Sequence, residues 1–396
     1  YQADWPHFGA NFWEDWEYPF HFSYFNADGE LEYESNAGVK IFGAWSRAFE
    51  QKSFALYARA ELGTGKFQFP FFEERSYATF ESLVLRNSGN DWEYSMLRDA
   101  VMTSLMAGSR VDYQAYRPVV TYLNGEYWGI YNMREKINEH FIASLHNVKP
   151  GEVDLLELDG EIKHGDNAEY LELREFIESN SMADNANYEY VTERIDEINF
   201  IQYQVAEIYY NNGDWPGNNI DYWKAGDGKW RWILFDTDFG LGVFDPNAYK
   251  YNSLAFATDP YGPAWPNPPW STLFLRKLLD NEQFRRKFVN YFADAMNSVF
   301  LPGAAVSHVA DMAAGIEGEI FNHRQRWGQS VSSWQTSVNR MKTIFTGRPG
   351  VARNFIMDEF DLPAVHEISI HNDYPTRGSV RVNSLVIESP DWSGKY

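Results

Sequence analysis

The sequence contains no cysteine among its 396 residues. Disulfides, zinc–thiolate sites and thiol catalysis are therefore excluded. It also lacks any run of about 18 consecutive apolar residues, so no segment is predicted to insert into a membrane. The 9 histidines show no ligand spacing such as His-x3-His, which argues against a transition-metal site.

Positive charge is scarce. The chain has 34 Lys and Arg against 56 Asp and Glu, which gives a formal net charge of -22. Such a chain repels nucleic acid, and no basic stripe offsets the repulsion, so no nucleic-acid partner is expected. A phosphate-binding site would need a local positive pocket or a metal ion.

No signal-like segment follows Tyr1, which indicates a processed chain.

The stretch 214–240, DWPGNNIDYWKAGDGKWRWILFDTDFG, contains the most informative polar pattern. Four residues separate Asp214 from Asn219, and an apolar strand-like run later ends at Asp236, with Asp238 close behind. Phosphoryl transfer needs a carboxylate beside the nucleophile, and Mg²⁺ prefers hard oxygen ligands such as these. The alternative is an ordinary surface hairpin with incidental acids, because Asp and Asn are common in turns.

Turn and periodicity signals predict an α+β chain. Residues 1–133 are expected to be rich in strands and to end in a hairpin at Asn124-Gly125. Residues 134–362 are predicted to be mainly helical, and residues 363–396 to start a C-terminal β module that is cut short. The long loop that ends near Pro269 is expected to be a lid or substrate segment. Helices are predicted at 94–106, 135–145, 169–178, 193–210, 271–286, 286–300, 304–327 and 331–359, the last interrupted near Gly347-Arg348-Pro349.

Several stretches resemble the spore coat protein H (CotH) kinase family of atypical kinases. The most specific are Asn124-Gly125-x-Tyr127-x-Gly129-x-Tyr131 and the residues between Asp214 and Asp236. The matching stretches together cover most of residues 38–245, and they are Gly38–Arg47 with Gln51-Lys52-Ser53, Leu83–Asp99, Arg117–Glu139 and Asn212–Gly240.

The resemblance implies an atypical protein-kinase-like fold of two lobes. Residues 1–133 would form the strand-rich N-terminal lobe, and residues 134–362 the mainly helical C-terminal lobe. The implied activity is transfer of the γ-phosphoryl group of ATP to Ser or Thr of a protein substrate, with Mg²⁺ or Mn²⁺ as cofactor. An extracellular or cell-surface location in a bacterium is expected.

The resemblance also assigns roles to the acidic stretch. By position, Asp214 matches the catalytic acid of the family and Asn219 its metal-binding Asn. Asp236 is preferred as the metal-chelating acid because it lies directly at the end of the strand. Asp238 is the alternative, since the family has acids at both positions.

Residues of the strand-rich region are predicted to contact the nucleotide. Lys52 is expected to contact phosphate, with Arg47 as its rival. Ile130–Met133 would flank adenine with backbone groups, which makes Tyr131 and Met133 cofactor-binding residues. The carboxylate partner of Lys52 stays open at this point among Glu81, Asp91 and Glu135.

Two features depart from the usual kinase pattern, and three other functions stay open. The chain has no full Gly-x-Gly-x-x-Gly loop and no His-Arg before Asp214. A secreted carbohydrate-active protein could use Asp214, Asp236 or Glu135 as a carboxylate pair. An inactive kinase-like module for adhesion or assembly is a further alternative. The same scaffold could also transfer a nucleotidyl group if it held ATP reversed.

Overall fold

The computed structural model describes residues 2–374 and 377–396. Tyr1, Pro375 and Thr376, which fall within the predicted first and last regions, lie outside the described residues. The chain is a mixed α+β protein with a strand-rich N-terminal half, a helical C-terminal region and a β tail. The predicted boundaries at residues 133 and 362 stay predictions. Contacts divide the chain into a first unit (Tyr1–Ala100, Gln114–Val153, Met312–Thr336) and a second unit (Val101–Tyr113, Asp154–Asp311, Ser337–Tyr396).

A six-stranded antiparallel sheet forms most of the first unit, in the order β1-β2-β3-β6-β9-β8. The predicted hairpin joins β8 to β9, and its turn residues Asn124 and Gly125 both have positive φ (51° and 82°). Such backbone geometry matches the twist of paired strands. The six strands are β1 (Tyr18–Phe25), β2 (Leu31–Phe42), β3 (Ser53–Tyr57), β6 (Ser82–Arg86), β8 (Tyr116–Leu123) and β9 (Glu126–Glu135). A separate pair is formed by β4 (Phe67–Gln68) and β5 (Thr79–Phe80).

Aromatic side chains fill the core of this sheet. Phe67 and Phe71 have no exposed surface, and Phe22 packs against both with ring centroids 6.1 and 6.0 Å away. Each fully buried phenylalanine contributes roughly 1.5–3 kcal/mol by leaving water. Much of the 17% aromatic content therefore serves packing in the first unit.

The helices follow the predicted periodicity with several corrections. A short helix (Ser253–Thr258) lies within the long loop that was predicted to be a lid or substrate segment, and the break between helices predicted at residue 286 lies at Asp280-Asn281. α1 begins at Arg98 rather than at 94, because the Asp91 carboxylate accepts hydrogen bonds from the amides of Ser95, Leu97 and Arg98 and turns the chain first. α4 lies partly in a predicted loop. α10 is continuous. The helices are α1 (Arg98–Leu105), α2 (Glu139–His146), α3 (Ala168–Ser179), α4 (Asn185–Thr192), α5 (Glu197–Tyr210), α6 (Ser253–Thr258), α7 (Leu273–Leu279), α8 (Glu282–Met296), α9 (Pro302–Arg326) and α10 (Val331–Phe360).

The missed helix α4 has a local cause. The side chain of Asp184 accepts a hydrogen bond from the amide of Ala186, so it caps the first turn. Tyr188 and Val191 are buried on one face of the helix. The polar Ser/Asn/Asp composition around residues 180–187 indicates a loop, but Asp is also a preferred N-cap residue.

A second sheet organises the second unit. Its five strands are ordered β11-β10-β12-β13-β7, and β7 pairs parallel to β13. The antiparallel pair β12–β13 is the predicted hairpin within 214–240. The loop with Asp214 and Asn219 precedes β12, and Asp236 and Asp238 follow β13. The strands of this sheet are β7 (Asp112–Tyr113), β10 (Val153–Glu157), β11 (Glu161–His164), β12 (Asp221–Ala225) and β13 (Arg231–Leu234).

Helix α5 packs against α8 and β13 and leads into the acidic stretch. Asp196 caps its first turn by accepting from the amide of Asn199. Asn199 is buried and bonds the main chain of Trp232 twice: its Nδ2 donates to the carbonyl oxygen (3.0 Å) and its Oδ1 accepts from the amide (2.6 Å). These two hydrogen bonds hold α5 in position against β13.

Arg348 lies at the predicted interruption of α10 and connects this helix to α5. Its guanidinium is 1% exposed and donates to the carbonyl oxygens of Ile208 (2.9 Å) and Tyr209 (3.1 Å) at the end of α5. It also donates to the carbonyl oxygens of Tyr249 and Tyr251. A helix end has unsatisfied carbonyl groups, and a buried cation is a suitable donor for them.

The tail contains short strands, as the sequence predicts, and a fourth strand near the end that was not predicted. β14 pairs with β17, and β15 with β16. Asp294 of α8 accepts from the amide of Ser384 (2.9 Å) and from the hydroxyl of Tyr396 (2.7 Å), which attaches the tail to that helix. The strands are β14 (Glu367–His371), β15 (Val380–Val382), β16 (Leu385–Ile387) and β17 (Asp391–Lys395). Among the helices of the described residues, none combines the length and hydropathy needed to cross a membrane.

Candidate active site

The loop that follows α5 presents Asp214. Asn211 ends the helix in the left-handed conformation (φ 51°), which asparagine tolerates well. Asn212 then donates from Nδ2 to Oε2 of the buried Glu207 at 2.9 Å. The amide of Gly213 donates to the carbonyl oxygen of Phe239 at 3.4 Å, so the Asp214 loop is bound to the chain that follows β13.

The carboxylate of Asp214 accepts three hydrogen bonds. Asn218 and Asn219 each donate from Nδ2 to its Oδ2, at 2.8 and 3.0 Å. The indole Nε1 of Trp265 donates to its Oδ1 at 3.1 Å. Three donors hold the carboxylate in one orientation, as a positioned acid–base group requires.

Asn219 also connects Asp214 to the end of β13. The same Nδ2 that binds Asp214 donates to the carbonyl oxygen of Asp236 at 3.3 Å. Asn219 and Asp236 both have positive φ, 54° and 52°. Such conformations are uncommon outside glycine and tend to occur at functional sites. The structure therefore brings three of the predicted residues together.

Asp238 lies in a different environment from Asp236. It is 1% exposed, whereas Asp236 is partly exposed. The turn around it is tight, since the amide of Gly240 donates to the carbonyl oxygen of Thr237 at 2.9 Å. A side chain at Gly240 would meet Met102 Sδ at 2.9 Å. The choice between the two acids as metal ligand stays a prediction.

Burial raises the pKa of the Asp214 carboxyl above its ordinary value, and the negative charge of Asp236 adds to that shift. The hydrogen bonds from Asn218, Trp265 and Asn219 act in the opposite direction, because they favour the charged form. The net shift is upward. Asp214 is therefore a stronger base than an exposed aspartate.

The sequence matches the model of a known protein family. The family model described as "CotH kinase protein" matches residues 39–351. The chain belongs to the CotH kinase family. A search of curated proteins finds no match.

Membership in the CotH kinase family implies a kinase that uses ATP and a divalent metal. The family match confirms the resemblance to CotH kinases that the sequence motifs indicate. The match also runs through the helical region after residue 245, where the sequence resembles the family only as a helical tail. It ends within α10, before the β tail.

The residues at the Asp214 loop fit a divalent cation with hard oxygen ligands. Asn219 donates through Nδ2 to the Asp214 carboxylate and to the main-chain carbonyl oxygen of Asp236, which leaves its Oδ1 available as a metal ligand, together with the carboxylate of Asp236. Within residues 2–374 and 377–396, no group of three or more His, Cys, Asp or Glu side chains is arranged to hold a metal by itself. Mg²⁺ typically takes few protein ligands and completes its shell with water and phosphate oxygens.

Two predicted phosphate-binding residues belong to the first unit, whereas Asp214, Asn219, Asp236 and Asp238 belong to the second. The guanidinium of Arg47 donates to the carbonyl oxygens of Gly43 (2.6 Å) and Trp13 (2.9 Å) and pairs with Asp15. All its nitrogens are thus engaged within the N-terminal segment. Lys52 lies immediately before β3, as predicted.

The carboxylate partner of Lys52, which the sequence leaves open, is none of the three candidates. Its ammonium group donates to the carbonyl oxygen of Phe49 and lies 3.9 Å from the centroid of the Phe12 ring. Burial lowers the pKa of Lys52. The candidates pair with other cations: Glu81 with Lys66, Asp91 with Arg98, and Glu135 with Arg75.

The carboxylates of Asp99 and Glu135 are buried in the first unit. Asp99 follows Arg98 at the start of α1, and it pairs with Arg134. Glu135 is the last residue of β9 rather than an acid in the first turn of a helix. A carboxylate buried this deeply is stable only when a cation and hydrogen-bond donors compensate for its charge.

Tyr131 and Met133 lie in the core of the first unit, with 0% and 1% of their surface exposed. Strand β9 is interior to the sheet, and Met133 faces Leu85 on one neighbour and Arg117 on the other. The hydroxyl of Tyr131 donates to the carbonyl oxygen of Lys52 at 2.7 Å. Contact of these residues with a nucleotide stays a prediction.

Sequence reasoning missed two residues that bind Asp214. Asn218 directly precedes Asn219, so the doubled Asn in the Asp-Trp-Pro-Gly-Asn-Asn motif was an available signal. Trp265 is 57% exposed and contacts Asp214 through its indole nitrogen. Fifty residues of chain lie between the two, and no pattern in the sequence indicates the contact.

A cavity of about 350 Å³ adjoins the Asp214 loop within the second unit. Gly213 and Trp215, the neighbours of Asp214 in sequence, both line it. Its other lining residues include Phe239, Phe244 and Pro266. The walls next to Asp214 are therefore largely aromatic and apolar.

Replacing Lys52 with alanine is expected to weaken ATP affinity roughly 10-fold while the fold is retained, because a charge-assisted phosphate contact is lost. Calorimetric titration with Mg-ATP measures the effect. Lys66→Ala is the matched control, since Lys66 is an exposed lysine of the same unit. Unchanged affinity in Lys52→Ala would show that Lys52 only supports the main chain at Phe49.

Proposed function

We propose that the chain is an atypical protein kinase with a two-lobed kinase-like fold. It transfers the γ-phosphoryl group of ATP to serine or threonine hydroxyls of proteins. The observation that carries the proposal is the Asn219 amide, whose single nitrogen binds both the Asp214 carboxylate and the main chain of Asp236. An extracellular or cell-surface location remains a prediction.

Asp214 acts as the base in this proposal. The acceptor hydroxyl donates its hydrogen to the Asp214 carboxylate while its oxygen bonds to the γ-phosphorus. The bond from the γ-phosphorus to the bridging oxygen breaks, and its electron pair leaves with ADP. Asn218 and Asn219 keep the carboxylate oriented, and its raised pKa lets it accept the proton more readily.

Asp236 and Asn219 would hold the metal, with Asp238 as the alternative acid. Mg²⁺ or Mn²⁺, when bound, neutralises charge on the phosphate oxygens. Without it, the acidic residues of this site and the net charge of -22 would repel the triphosphate. A protein acceptor is supported by the 350 Å³ cavity next to Asp214, which offers room for a side chain of the acceptor.

The test follows radioactive label from ATP into a generic protein acceptor such as casein. Label from γ-³²P ATP is expected on serine or threonine with Mg²⁺ or Mn²⁺, and none with EDTA. In calorimetry, ATP is expected to bind with Mg²⁺ or Mn²⁺ and not with EDTA. A parallel experiment uses ATP that carries the label on the α-phosphate.

Each other outcome contradicts a defined part of the proposal. Label that arrives from the α-phosphate would identify a nucleotidyl transferase. Equal ATP affinity in EDTA would remove the role of the metal. The absence of transfer from either position, in protein that binds Mg-ATP, would contradict catalysis by this site.

A further inference from the structure

Trp265 lies on a loop that is bound to the Asp214 loop. The amide of Gly217 donates to the carbonyl oxygen of Pro266 at 2.5 Å. A side chain at Gly217 would meet Pro268 Cδ at 2.3 Å and that same carbonyl oxygen at 2.6 Å. Only glycine permits so close an approach. The loop 259–270 is therefore in direct contact with the chain around Asp214.

The two oxygens of the Asp214 carboxylate have different donors. Oδ2 accepts from Asn218 and Asn219, which belong to the same loop as Asp214. Oδ1 accepts from Trp265, which comes from a separate loop and is 57% exposed. The side chain of Trp265 packs edge-on against Phe239, with ring centroids 6.3 Å apart.

An acceptor hydroxyl has to donate its hydrogen to this carboxylate. Oδ2 already accepts from two amides of its own loop, and the Asn219 amide is also bound to the carbonyl oxygen of Asp236. Oδ1 accepts one hydrogen bond, from an exposed indole on a separate loop, so this is the donor that an incoming group replaces most easily. The indole N–H therefore competes with the acceptor hydroxyl for Oδ1.

We propose that Trp265 determines the choice of acceptor: its indole N–H holds Oδ1 of Asp214 until a protein substrate displaces it, and it thereby suppresses transfer to water. This inference rests on the proposed kinase function. Water makes few contacts with which to offset the loss of the indole bond. A protein segment contacts the loop over a larger surface and supplies that free energy.

The suppressed reaction is hydrolysis of ATP. Water would donate a proton to Asp214 Oδ1 as its oxygen bonds to the γ-phosphorus, and the bond to the bridging oxygen would break. ADP keeps the electron pair, and the product is inorganic phosphate. Asp214 then releases the proton to solvent. Transfer to a protein hydroxyl has the same balance, with a phosphorylated side chain in place of phosphate.

Replacing Trp265 with phenylalanine tests the inference, because it removes the N–H and keeps an aromatic ring. ADP release without acceptor is expected to rise about 10-fold, the effect of losing one hydrogen bond to a charged group. Transfer to casein is expected to change less. The ratio of hydrolysis to transfer is the decisive measurement, since a folding defect lowers both rates together.

Tyr261→Phe is the matched control, because Tyr261 lies in the same loop, is 90% exposed and also loses one donor.

Three outcomes would overturn the inference. If ADP release in Trp265→Phe is unchanged, the indole does not restrain Asp214. If hydrolysis and transfer fall together, Trp265 only supports the fold or the orientation of Asp214. If hydrolysis rises but persists when Asp214→Asn is added, the water is activated elsewhere. A parent protein that binds Mg-ATP but transfers no γ-phosphate contradicts the proposed function itself, and the inference with it.

Discussion

Asp214→Asn is expected to lower phosphoryl transfer about 10²–10⁴-fold, which is the usual contribution of a positioned base. The amide keeps the size of the side chain but cannot accept the proton of the acceptor hydroxyl. Asn219 and Asp236 are unchanged in this variant, so binding of Mg-ATP should stay close to that of the parent. Label incorporation from γ-³²P ATP measures transfer, and calorimetry measures binding.

Asp227→Asn is a suitable control for this variant. Asp227 is an exposed acid in the turn between β12 and β13, and its replacement changes the net charge by the same amount. It is expected to transfer at the parent's rate. An Asp214→Asn protein that labels acceptors as fast as the parent would show that Asp214 is not the base.

The raised pKa of Asp214 adds a pH dependence. A base must be deprotonated to act, and a carboxyl with a raised pKa loses its charged form at a higher pH than an ordinary aspartate. Transfer by the parent should therefore decline as the pH falls through that raised pKa. In Asp214→Asn, the remaining rate should lack this acid limb.

Asp236→Ala is expected to remove the Mg²⁺-dependent part of ATP binding, a loss of about 10²-fold or more, because a charged ligand of the metal disappears. Affinity in Mg²⁺ should then equal affinity in EDTA. Asp236 is partly exposed at the end of β13, so the variant should fold. Calorimetry with and without Mg²⁺ gives the result directly.

Asp238→Asn distinguishes the two acids. Asp238 is 1% exposed, and the amide keeps its volume, which limits damage to packing. We expect this variant to lose less Mg²⁺-dependent affinity than Asp236→Asn. The reverse order, in proteins with similar melting temperatures, would make Asp238 the principal ligand and would contradict the choice of Asp236.

The arrangement of Asp214, Asn219 and Asp236 could be predicted because it is local. A loop and the hairpin that follows it place their ends close together, whatever surrounds them. The same holds for the Asn124-Gly125 hairpin, whose turn residues require positive φ. Helix α5 was predictable from its periodic apolar residues, although its first residue is Glu197 rather than 193.

The rest depends on contacts between distant parts of the chain. Lys52 was expected to have a carboxylate partner, but each acid considered for it is bound to an arginine or lysine elsewhere in the first unit. Trp265 contacts Asp214 although helix α6 lies between them in the sequence. Strands β7 and β13 pair although more than a hundred residues separate them. Neither composition nor periodicity encodes which of many similar side chains meet.

Arg348 sets a minimum length for a stable catalytic fragment. Because its guanidinium donates to the carbonyl oxygens of Ile208 and Tyr209, a shortened chain that ended before it would remove the Arg348 donor of Tyr209 and leave Ile208 with its bonds from Asn211 and Ser253. The end of α5 would then fray, and the Asp214 loop begins three residues further on. Expression trials should therefore place the C-terminal truncation after α10 and not at the last strand of either sheet.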